Sequence, residues 1–185
     1  MPDITLTSRK VGEAMGEAIR DAIRRHLIAK SNQTKPNRHG LPHTGYYHKA
    51  AGTVRVEDFD ETRAEIVVGA DSEDSNAPGQ GLALHYYGGV VRPRSGKKAL
   101  AIPIDPSVAG MWPSEVGAIA SGDGLALIWP KNSSHGFLKD NENGRLLWLL
   151  VRKAQIPADE TVFPTAEELE EAASNAISEV MDDGE

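Results

Sequence analysis

A chain of 185 residues with no cysteine and a net charge of -7 excludes disulfides, thiolate metal sites and a cysteine nucleophile, so packing alone must hold the fold. Its length suffices for one core burying about 70% of the extended chain's surface. No apolar run approaches the about 20 residues that span a bilayer, and no leader-like apolar segment opens the chain, so a soluble protein compatible with a reducing cytoplasm is expected. Charge is unevenly spread: residues 1–50 carry nine Lys/Arg against four Asp/Glu, residues 51–153 eleven against thirteen, and residues 154–185 none against ten. Such ends can pair within a subunit, or head to tail between subunits in the heterologous contact that closes rings. A merely solvated acidic helix is the alternative.

In chain order, Val11, Met15, Ile19, Ile23 and Leu27 recur every fourth residue and predict an amphipathic helix over 7–30, capped by Thr7 or Ser8. Arg20, Arg24, Arg25 and Lys30 load its second half, where cations suit the negative helix end. Residues 31–52 show no sustained period and read as a long loop, with room for one short helical turn. Loops beyond about 12–15 residues are uncommon unless they bind or order on assembly, which makes His39, His43, Tyr46, Tyr47 and His48 a candidate interface arm. Alternation over 53–57 and 63–68 predicts a hairpin, followed by an acidic loop to Gly81 and a short helix over 82–87.

Gly88-Gly89 ends that helix. Arg92, Pro93, Arg94, Ser95, Gly96, Lys97 and Lys98 then place four cations on a loop that Pro93 and Gly96 keep from being helical. Leu100, Ile102 and Ile104 alternate in a strand whose Pro103 lacks a ladder donor, which predicts a sheet edge. Leu125–Trp129, His135–Leu138 and Arg145–Arg152, separated by turn-rich segments, predict a three-stranded antiparallel meander. Thr165 and Glu168 form a capping box for a C-terminal helix over 165–181. The expected fold is a single α+β domain: a β-rich core over 53–153 with a mixed or mainly antiparallel sheet, flanked by N-terminal and C-terminal amphipathic helices.

Catalytic signatures are weak. His39, His43 and His48 have spacings that suit a metal only on a helix, which Gly40, Pro42 and Gly45 oppose. His85 and His135 read as packed structural histidines. No G-x-S-x-G elbow occurs, and Gly79-Gln80-Gly81 lacks the Lys-Ser/Thr of a phosphate loop. No enzymatic activity, cofactor or metal is expected. The loop over 92–98 is the main site candidate: Arg92, Arg94, Lys97 and Lys98 contact a neighbouring subunit, contact DNA phosphates, or form an inert tip, with Gly88, Gly89, Pro93 and Gly96 shaping it. Its cations are not followed by aromatic stacking residues in sequence.

The run from His85 to Gly89, leading through the basic loop to Ile102-Pro103, resembles a segment of the tailed-phage virion-morphogenesis proteins that complete the tail or form the neck joining head to tail. A second likeness lies in Arg152-Lys153-Ala154-Gln155-Ile156-Pro157-Ala158 and in Phe163-Pro164-Thr165 ahead of an acidic helix; an N-terminal amphipathic helix is also typical of that family. Residues 105–124 match nothing in it. The resemblance implies a structural virion protein that forms a ring of about six or twelve copies. It also implies contacts with head-tail connector, tail terminator or tail-tube proteins, DNA passing through the lumen, and residence in the host bacterial cytoplasm before the virion. A nucleic-acid-binding module using residues 92–98 is the alternative, and a small metal-dependent hydrolase a lesser one.

Overall fold

A computed structural model describes residues 4–36, 40–41, 45–60, 63–69, 81–94, 96–117 and 124–182, with side chains from Arg9 onward. The fold is mixed α+β, with every strand pairing antiparallel and a helix near each terminus, as expected. The chain divides into two compact units, and the apolar interior divides with it into two clusters where the length predicts one core.

The first unit comprises residues 1–34, 45–87 and 158–185. Helix α1 (Ile4–Gln33) starts before the expected Thr7 or Ser8 cap, because no Gly or Pro interrupts the chain between Pro2 and Gly12. It stops where the Thr34 hydroxyl donates to the Lys30 carbonyl at 2.9 Å, two residues ahead of Pro36. The short helix α2 (Tyr46–Ala51) occupies the end of the expected long loop. Strands β1 (Val54–Phe59) and β2 (Ala64–Val68) form the predicted hairpin, with Val54 opposite Val68 and an irregularity between Val56 and Asp58. Helix α3 (Leu82–Tyr87) is also as expected.

Ile23 and Leu27 of α1 are buried with Ala50, Ala51, Val54, Leu82 and Val162. The C-terminal helix, called α5 here (Ala166–Asp182), packs along α1. Its capping box is formed: the Thr165 amide donates to Glu168 at 2.9 Å, and the Glu168 amide donates to the Thr165 hydroxyl at 3.3 Å. Within the chain, Lys30 of the basic helix pairs with Asp159 of the acidic tail at 2.7 Å.

The second unit comprises residues 35–44 and 88–157. Strands β3 (Gly89–Val91) and β8 (Ala154–Ile156) form a short ladder; three residues of β8 are too few to alternate visibly, and sequence reading treats them as a turn. Strands β4 (Leu100–Pro103), β5 (Leu125–Ile128), β6 (His135–Asp140) and β7 (Leu146–Val151) form a four-stranded sheet in the order β4-β7-β6-β5. The predicted meander is thus present, and β4 with its Pro103 lies at the edge. Leu147 through Leu150 are all buried, with Trp148 fully so, which makes β7 the apolar centre. The unassigned insert contributes a 3₁₀ turn over Pro106–Val108 and helix α4 (Pro113–Val116). Asp105 caps that turn through the Ser107 amide at 2.9 Å and hydroxyl at 2.6 Å, and pairs with Arg145 at 2.5 Å. The Ser107 hydrogen bonds, and then Arg145, hold its carboxyl below the usual carboxylate range.

Candidate functional site, a basic and tryptophan-bearing sheet end

Antiparallel pairing puts the start of β4, the end of β7, the start of β6 and the end of β5 at one end of the sheet: Val151 lies opposite both Leu100 and His135, and Ile128 opposite Phe137. The 92–98 loop, Arg152-Lys153 and Lys131 therefore converge there. In the β3–β8 ladder Val91 faces Ala154, which brings Arg92 beside Lys153. Seven Lys/Arg gather at this end, namely Arg92, Arg94, Lys97, Lys98, Lys131, Arg152 and Lys153, and residues 88–104, 129–139 and 151–158 contain no Asp or Glu. The opposite end carries Asp105, Asp140 and Glu142 with Lys139 and Arg145. The two ends of the sheet therefore differ in charge, with seven cations at one and three carboxylates against two cations at the other.

The seven cations are all exposed. Among the described residues Arg92, Lys97, Lys98, Lys131, Arg152 and Lys153 make no ion pair. Gly88 (φ 72°) and Gly96 (φ 83°) take the left-handed backbone expected of loop-shaping glycines. Gly96 lies in a turn closed by the Lys97 amide and the Arg94 carbonyl at 3.0 Å. Gly89 begins β3, and Pro93 is half-buried.

Two tryptophans serve this surface, which sequence reading missed. Lys97 Nζ lies 5.5 Å from the Trp112 ring centroid, and the Arg152 guanidinium 5.7 Å from that of Trp129. Trp112 is 57% exposed, beside exposed Met111. Its amide donates to the Glu115 carboxylate, while its carbonyl accepts from the Glu115 amide at 2.9 Å, which fixes the backbone that presents the ring. Trp129 donates its indole N–H to the Ser133 carbonyl at 3.1 Å and lies over Gly136, where a Cβ would stand 2.4 Å from the ring. The predicted meander already placed Lys131 and Arg152 at one sheet end; joining Lys98 to them required the pairing of β4 with β7.

The remaining candidates fall elsewhere. His39 and His43 lie outside the described residues. Tyr46 and Tyr47 are half-buried on α2 in a ring cluster rather than on an extended arm: Tyr46 stacks on His85 at 5.1 Å, Tyr47 meets it edge-on at 5.7 Å, and Tyr47 Oη lies 3.4 Å from His85 Nδ1. Burial lowers the His85 pKa, partly opposed by the Asp159 carboxylate, and raises both tyrosine hydroxyls. His48 is exposed on the same helix. The first unit also holds an open groove of about 1200 Å³ lined by Ile23, His26, Tyr86, Tyr87, Phe163 and Glu168 among others; the His26 ring there bonds the Thr161 carbonyl at 3.0 Å.

Among the described residues no group of three His, Cys, Asp or Glu is placed to hold a metal ion, and no helix is long and apolar enough to cross a membrane. No family model, curated protein or solved structure matches this chain.

Proposed function

We propose that this chain is a structural morphogenesis protein of tailed-phage or prophage particles, completing the tail or neck through a ring of its own copies and contacts with neighbouring virion proteins. The observation that carries the reading is the basic end of the four-stranded sheet. Six cations that make no ion pair among the described residues, on a chain whose net charge is negative, form a surface built to meet an opposite charge. The succession of His85–Gly89, basic loop, Ile102-Pro103 strand and capped acidic helix agrees with the family resemblance. Function then consists of repeated protein contact and requires no turnover.

Light scattering over a concentration series, with negative-stain images of the same fractions, tests it. Closed rings are expected; a strict monomer that also fails to join purified tail or connector proteins would overturn it.

A second reading, nucleic-acid binding, is favoured by the exposed Trp112 beside Lys97, since a ring face next to cations suits an unstacked base and its phosphates. It predicts DNA affinity that falls steeply with salt.

A further inference from the structure

The basic sheet end has a counterpart of opposite sign on the same chain. Helix α5 turns Leu169, Ala172, Ala173, Ala176, Ile177 and Val180, all half-buried, to one side, and exposes Glu167, Glu170, Glu171, Glu179 and Asp182. Among the described residues those five carboxylates make no ion pair. Seventeen helical residues extend about 25 Å, long enough to present several carboxylates to one partner surface. At the C-terminal end of that helix Met181 is 60% exposed, an apolar group of the kind that exposed Met111 and Trp112 could cover.

We infer that the outer face of α5 in one copy docks head to tail on the basic, tryptophan-bearing sheet end of the next copy. The inference rests on the self-association reading above and names the junction. Charge complementarity selects a second copy as occupant: residues 154–185 contain ten acidic and no basic residues, and the sheet end seven basic ones, with Glu115 beside Trp112 as an acidic neighbour. Because the two patches differ, the contact is heterologous, so each copy keeps one free donor and one free acceptor face until a ring closes.

The full chain is compared by light scattering in about 50 mM and about 500 mM salt, where the screening length falls from roughly 14 to roughly 4 Å. It is compared with Arg92→Glu/Lys98→Glu, with Glu170→Lys/Glu171→Lys, and with the equimolar mixture of the two. Each double variant is expected to weaken association at least tenfold, leaving the 19.9 kDa monomer, while circular dichroism stays unchanged. The mixture is expected to regain assembly, because every junction in it pairs opposite charges. Glu170→Gln/Glu171→Gln removes charge without reversal and should give an intermediate loss. If the wild type assembles and the variants do so equally, this junction is wrong while self-association stands. A mixture that stays monomeric refutes the junction too, as does a basic-end variant that loses binding to a duplex DNA probe but keeps its assembly. A wild type monomeric throughout overturns the junction and self-association with it, and the morphogenesis reading falls as well if that monomer also fails to join purified tail or connector proteins.

Discussion

Gly12 of α1 lies against the backbone of Asp60: a Cβ at position 12 would stand 2.1 Å from the Asp60 carbonyl oxygen. Glycine inside a helix costs about 1 kcal/mol relative to alanine, and here that cost is offset by the close seat of the β1–β2 turn. Gly12→Ala should therefore destabilise the protein by about 1–3 kcal/mol despite its better helix propensity, because backbone must move. The nearest atoms to a Cβ at position 16 belong to side chains, Val56 Cγ1 at 3.2 Å and Ala64 Cβ at 3.4 Å, so Gly16→Ala should cost less. Urea denaturation of both variants measures the difference; equal stability gains would contradict this seating.

Gly136 plays the corresponding part in the sheet, since a Cβ would stand 2.4 Å from Trp129 Cε3 and 2.8 Å from the Ile128 carbonyl. Its conformation is ordinary, so the requirement is space. Gly136→Ala should lift the indole from β6, break its bond to Ser133, and cost about 1–3 kcal/mol. A changed tryptophan emission spectrum, together with a lower denaturation midpoint, is the expected reading.

Trp148 is fully enclosed at the centre of β7. Trp148→Ala should cost about 3–5 kcal/mol. Its indole N–H has no partner among the described residues, so Trp148→Phe surrenders no hydrogen bond and should cost much less than the alanine change. Thermal melts of the pair give the comparison.

His85 binds a proton less readily when packed against Tyr46 and Tyr47 than when unfolded. Its folded pKa is lowered, so stability rises with pH through this window and is lost as pH falls below about 6.5. Melting temperatures between pH 5 and 8 should show that slope, and His85→Phe should flatten it.

Asp159 acts in a lower window. Lys30, then Thr161, lowers its pKa, so its stabilisation is present above the ordinary carboxylate pKa and lost as pH falls through the folded value. The pair is partly solvated, with side-chain exposures of 19% and 38%, and should contribute about 0.5–1 kcal/mol. Asp159→Asn should lower stability at pH 7 by that amount and reduce the loss below about pH 4; an unchanged acid transition would remove Asp159 from its cause.

The elements most legible in the sequence are those whose signal is local. The Thr165–Glu168 box, the Gly88 stop, the β1–β2 hairpin and the β5–β6–β7 meander all depend on neighbours within a few residues. What escaped depends on distant approach. Gly12 is a good helix residue only because Asp60 comes to it, and β8 is a strand only because β3 pairs with it. The cations of the site were visible as a loop, but their enlargement to include Arg152, Lys153 and two tryptophans required the register of the sheet.

That register gives the four-stranded sheet a lengthwise electrical asymmetry, with seven cations at one end and, at the other, Asp105, Asp140 and Glu142 mostly balanced by Lys139 and Arg145. Cations so concentrated at one sheet end attract an acidic partner before any atoms touch, so encounters begin partly aligned and productive collisions become more frequent. If copies join as proposed, salt would slow their joining as well as weaken it, so the speed of assembly would carry the imprint of these charges alongside its final strength.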